Sequence, residues 1–152
     1  MADVQAAARR AMEREVGRPR ITVQPPGGRT LVNFTTIFSA PAQQVRSLPI
    51  TVPVPGSVTG SPSYAWDLGE GITGQGSGSA YVEGMSPNDG STDGLYVKAR
   101  YRQPGLKSVT ATLTWEVDFE LAGWGAVPLA PIVFTSAAAT TAREARNVLV
   151  AP

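Results

Sequence analysis

The chain has 152 residues, a net charge of +1, no Cys and no His. That length fits one domain able to bury a core without disulfide or metal staples. The missing side chains exclude thiol chemistry, zinc–thiolate and imidazole metal sites, Ser-His-Asp triads and histidine general bases, and the near-neutral charge argues against nucleic acid as a main partner.

Asp3 to Val16 predicts a helix: Asp3 is a candidate N-cap, the interior is Ala-rich, and Gly17 and Pro19 stop it. Val4, Ala8, Ala11, Met12 and Val16 form a thin apolar stripe. Residues 1–20 thus read as a short helix docked on the domain edge or a linker, and 21–152 as the domain with a C-terminal extension. Met1 to Glu15 has no apolar h-region, so no signal peptide is expected there. The expectation is a cytosolic chain or a mature fragment whose leader is missing. No apolar run approaches a membrane span.

Ile21 to Gln24 reads as a short extended piece before Pro25-Pro26-Gly27-Gly28. Thr30 to Phe38 reads as one strand, enclosing an Asn33-Phe34-Thr35 sequon. Leu48 to Val54 alternates, but Pro49 and Pro53 each lack a ladder donor, which predicts a sheet edge. Ser61 to Leu68 is the next strand. The segment from Glu83 to Gly94 is a polar loop. Its Asn88, Asp89 and Asp93 lack calcium-loop spacing and read as turn residues, so no metal or other cofactor is expected.

Leu95 to Arg102 alternates, with Lys98, Arg100 and Arg102 facing away from Leu95, Val97, Ala99 and Tyr101. Gln103-Pro104-Gly105 predicts a turn that makes this strand a hairpin with the next. From Val109 to Leu121 the chain alternates without a break. Val109, Ala111, Leu113, Trp115, Val117, Phe119 and Leu121 share one face, and Glu116, Asp118 and Glu120 lie on the other. Ala122 to Gly125 is a loop carrying Trp124, and Leu129 to Thr135 a strand. Ala137 to Val150 reads equally as a helix or a strand. The sum is an all-β chain of short strands and turns, a sandwich or a barrel.

Tyr64-Ala65-Trp66-Asp67-Leu68-Gly69-Glu70-Gly71, followed by Tyr101, Pro104-Gly105 and the Trp115 strand, resembles the PKD-type immunoglobulin-like β-sandwich domain. Leu68 stands where that family has Phe, and Glu70 where it has Asp. Gln24 to Asn33 and Glu144-Ala145-Arg146-x-Val148-Leu149 extend the likeness to exported PKD-domain proteins of actinobacteria. The resemblance implies an extracellular or cell-envelope location, a non-enzymatic role in protein–protein contact or spacing, and no catalytic residues. Asp67 and Glu70 are expected to accept hydrogen bonds from backbone N–H groups of the turn.

Candidate interaction residues are the basic row Lys98, Arg100 and Arg102, the acidic row Glu116, Asp118 and Glu120, and Trp124. In the predicted hairpin the two rows share one sheet face, offset, and invite a protein partner or a second copy. A structural subunit of an extracellular assembly and a carbohydrate-binding accessory module are the alternatives. Trp124 suits glycan stacking or a protein hot spot if exposed, and packing over the sandwich end if buried.

Overall fold

The computed structural model describes residues 2–51, 55–121, 123 and 125–144. The segments from 52 to 54 and from 145 onward lie outside it, as does Trp124. The end of the predicted edge strand, the part of Ala137 to Val150 from 145 on, and the Ala145–Leu149 part of the resemblance therefore fall outside the described residues.

The chain is mostly β. It begins with one helix, α1 (Ala2–Glu15), followed by β1 (Thr22–Gln24), β2 (Arg29–Leu31), β3 (Thr35–Ser39), β4 (Arg46–Ile50), β5 (Gly56–Gly69) and β6 (Ile72–Gln75). Then come β7 (Val97–Arg100), β8 (Gly105–Leu121), β9 (Gly125–Pro128) and β10 (Ile132–Arg143). Among the described residues these strands form a three-stranded sheet, β1-β3-β7, and a seven-stranded sheet, β2-β10-β8-β5-β4, in which β6 also pairs with β5 and β9 with β8.

The long β5–β8 ribbon is the spine. Its inward residues follow the alternation of the sequence: Tyr64, Trp66 and Leu68 on β5, and Val109 through Leu121 on β8, are all buried. The inner face is covered in two halves. Over Trp66 lies the three-stranded sheet, with the Phe38 and Trp66 rings 6.3 Å apart and Tyr101 Oη donating to the Leu68 carbonyl at 2.6 Å. Over Trp115 lies α1, whose Ala8 and Met12 are both fully buried. The helix is therefore part of the core.

Pro62 sits mid-strand in β5, opposite Trp115. The Tyr64 carbonyl faces β6, where it accepts from Gly76 N–H. Backbone groups two residues apart point the same way, so Pro62 turns its missing N–H to that same side. There it meets the interval between β4, which ends opposite Gly60, and β6, which begins opposite Ala65.

Two expectations are corrected and one open reading is resolved. Thr30 to Phe38 is not one strand. β2 pairs parallel with β10 in the large sheet, β3 pairs with β1 and β7 in the small one, and the chain crosses between sheets at Val32–Phe34. Asn33 makes that corner in the left-handed region, at φ 62°, a conformation Asn tolerates better than most residues. Leu95 to Arg102 does not form a hairpin with the next strand. β7 pairs with β3 and β8 with β5 and β10, so Tyr101–Pro104 is a second crossing between sheets. Finally, Ala137 to Arg143 is strand, continuous with Ile132. The expected edge position of the Pro49 strand holds: β4 ends the large sheet. No helix among the described residues is long and apolar enough to cross a membrane.

Candidate functional site

The two crossings redistribute the charged rows. Glu116, Asp118 and Glu120 are exposed on the outer face of the seven-stranded sheet, opposite Ser61, Thr59 and Ser57 of β5. Lys98 and Arg100 lie on the outer face of the three-stranded sheet, beside Ile37 and Thr35 of β3. Because the sheets pack inner face to inner face, the rows point to opposite sides of the sandwich. Arg102 leaves its row at the bend after β7 and lines a separate hollow with Val32, Asn33 and Glu144.

The outer face of the small sheet is partly roofed by the polar loop, which folds back over it. Lys98 Nζ donates to the Pro87 carbonyl at 2.8 Å and to Asp93 at 2.5 Å. Tyr96 Oη donates to the Met85 carbonyl at 2.7 Å and accepts from Val82 N–H at 3.0 Å. Asp89 caps a 3-10 turn by accepting from Ser91 N–H at 3.0 Å. That bond, chiefly, holds its carboxyl below the usual carboxylate range. Asn88 accepts from the Thr35 hydroxyl. Asn88, Asp89 and Asp93 thus have three separate jobs within the loop.

Between loop and sheet runs an open cleft of about 290 Å³. Phe34, Tyr81, Pro25 and Pro87 supply its apolar walls, and the two rings stay 48% and 54% exposed. The cleft continues past Thr35 and Asn88 into a second hollow of about 240 Å³ edged by Lys98 and Arg100. Its polar lining is rich in donors. Gln24 Oε1 is already taken by Tyr81 N–H at 2.8 Å and the Asn88 oxygen by Thr35. The two carboxamide NH₂ groups remain to be offered. Lys98 is spoken for by Asp93. Arg100 is exposed and has no carboxylate within ion-pair distance among the described residues.

Of the residues singled out from sequence, the cleft gathers Lys98 and Arg100. It leaves out Arg102 and the acidic row. Among the residues that shape it, Gln24 and Pro25 lie in the stretch that carries the resemblance and Phe34 in the sequon, but neither pattern marks a cleft, and Tyr81 and Pro87 belong to no pattern. Phe34 reads as a strand residue until Asn33 is known to turn the chain.

Of the two expected turn contacts, that of Asp67 is present, and Glu70 instead reaches across to the β7–β8 crossing. Asp67 Oδ1 accepts from Gly69 N–H at 3.1 Å. Glu70, at φ 51°, accepts from Arg102 N–H at 2.9 Å and Gln103 N–H at 3.2 Å and pairs with Lys107 at 2.6 Å. Compared with known proteins, the chain matches no family model and no curated sequence.

Proposed function

We propose that this protein is a non-enzymatic module that docks a protein partner through the cleft over its three-stranded sheet. The carrying observation is the pair of exposed rings, Phe34 and Tyr81, set in one cleft with two prolines. Exposed aromatics in a concave, partly apolar site are what protein interfaces use as anchors. The donor-rich polar lining suits an acceptor-rich occupant: a peptide segment that presents backbone carbonyls to Gln24 and Asn88 and a carboxylate to Arg100. A neutral glycan would also need acceptors for its hydroxyls, and no carboxylate among the described residues lines the cleft. We further propose that the sandwich is of the PKD, immunoglobulin-like type and works at the cell surface or envelope. The Tyr64-x-Trp66 strand, its Gly-Glu-Gly turn, and Tyr101 ahead of the long strand support that reading.

A random-peptide display selection against the intact chain tests the docking. Peptides should enrich on the wild type and drop out on the Phe34→Ala/Tyr81→Ala variant. Enrichment unaffected by both substitutions, or a glycan array giving cleft-dependent binding where peptides give none, would defeat the proposal.

A further inference from the structure

Among the described residues, every sheet edge is short or blunted except one. β1, β2, β6, β7 and β9 have three or four residues each. β4 carries Pro49. Even-numbered residues of β5 face β4, and their partners in β4 are also even-numbered. Pro49 therefore faces outward, where its missing N–H blocks pairing. β10 is different: twelve residues with no Pro, and no charge before Arg143. β2 covers only Thr141 to Arg143.

The direction of the β10 backbone follows from its neighbours. Thr141 N–H donates outward, to the Gly28 carbonyl at 2.8 Å. Residues two apart share that direction, so Val133, Thr135, Ala137 and Ala139 also point their N–H and C=O away from β8. None of these groups has a hydrogen-bond partner among the described residues. Ser136 Oγ reaches the Pro19 carbonyl at 2.6 Å from the inner face, so that contact closes the side of the core and leaves the strand edge open.

We propose that this edge pairs with the same edge of a second copy, antiparallel about a two-fold axis through Ser136. The spacing is self-complementary: Val133 falls opposite the partner's Ala139, and Thr135 opposite the partner's Ala137. All four are outward-pointing positions, so each facing pair exchanges two backbone bonds. The side chains that meet are small and uncharged and lie on the outer face, where Val133 is otherwise 53% exposed. A second copy suits the edge better than a foreign strand, because one symmetric register satisfies every free group at once. The contact is narrow, well under the roughly 800 Å² per partner of standard stable interfaces, so the dimer is weak and concentration-dependent.

Sedimentation equilibrium of the whole chain over a concentration series is the test, combined with amide hydrogen exchange. A monomer–dimer equilibrium is expected, with the amides of Val133, Thr135, Ala137 and Ala139 gaining protection only as concentration rises. Ala137→Pro removes an outward donor that no internal bond uses, and Thr135→Lys puts a charge on the edge. Each should keep the circular dichroism of the fold and lower the association constant at least about tenfold. A monomer at all concentrations, protection of those amides in the dilute monomer, or a dimer indifferent to both substitutions would overturn the proposal.

Discussion

Trp115 is the point where helix and sheet meet, and one missing side chain makes the meeting possible. A Cβ on Gly60 would sit 3.0 Å from the Trp115 ring and 3.1 Å from the Met12 sulfur. The helix can approach only because residue 60 is glycine. Trp115 itself is fully buried, and its Nε1–H has no partner among the described residues. Trp115→Ala should therefore cost about 3–5 kcal/mol. Trp115→Phe should cost clearly less, since it keeps most of the ring and removes an unpaired buried donor. Gly60→Val should destabilise by overpacking, about 1–3 kcal/mol. Urea denaturation of the three variants decides the order, and an equal midpoint for the Ala and Phe variants would show that the pocket does not close on the ring. Strict alternation makes the burial of Trp115 legible in the sequence. The role of Gly60 is not, because it depends on a helix that arrives from far along the chain.

At the scale of elements, Glu70 holds the second crossing between sheets, and the Asn33 N–H, donating to the Tyr101 carbonyl at 2.8 Å, ties the first crossing to it. The Glu70 carboxylate ties the β5–β6 turn to the start of β8 through Lys107, and to the β7–β8 crossing through Arg102 and Gln103. The Lys107 hydrogen bond, then the Arg102 N–H, hold that carboxyl below its ordinary range. A carboxyl with a lowered folded-state pKa stabilises the fold above its unfolded pKa, and that contribution is lost as pH falls through the folded one. The acid limb of the stability curve should therefore flatten in Glu70→Gln, with the variant less stable than wild type at neutral pH. Tyr101 governs the other limb. Burial first, then the Glu70 and Asp67 charges, push its hydroxyl up to about 12. A raised phenol stabilises the fold below its ordinary pKa near 10, and that contribution disappears as pH climbs toward 12. Melting temperatures of Tyr101→Phe should lose part of this alkaline decline, and an unchanged slope would mean the hydroxyl is not titrating where the geometry puts it. The long strands β5 and β8 were legible from alternation, and the Asp67 contact from the turn chemistry around Gly69; the short strands β6 and β9 were not, nor was the reach of Glu70 to Arg102, Gln103 and Lys107. The sheet to which each strand belongs was not legible either. A hairpin and a crossing both need a Pro-Gly turn after Arg102, and only the partners of β7 tell them apart. The cleft depends on both crossings, which is why Phe34 and Tyr81 carry no signal of their own.

For the whole molecule, the crossings change what charge can do. Two rows on one face would make that face complementary to a shifted copy of itself. Rows on opposite outer faces can meet only front to back, in a contact that does not close and would grow into open chains. The means for that are weak. Lys98 already pairs with Asp93 at 2.5 Å and Arg102 lines a different hollow, which leaves Arg100 to face Glu116, Asp118 and Glu120. An exposed pair contributes about 0–1 kcal/mol and is screened within about 8 Å at physiological salt. Backbone pairing along β10 involves no charged side chain between Ile132 and Ala142, so it should be nearly indifferent to ionic strength. The expected result is a self-association that stops at the dimer, changes little between low and high salt, and survives Glu116→Lys, Asp118→Lys and Glu120→Lys made together. Sedimentation velocity at two salt concentrations separates the two drivers. Species that grow past the dimer at low salt, dissolve at high salt, and vanish in the triple variant would make the charged faces the cause of assembly and β10 a bystander.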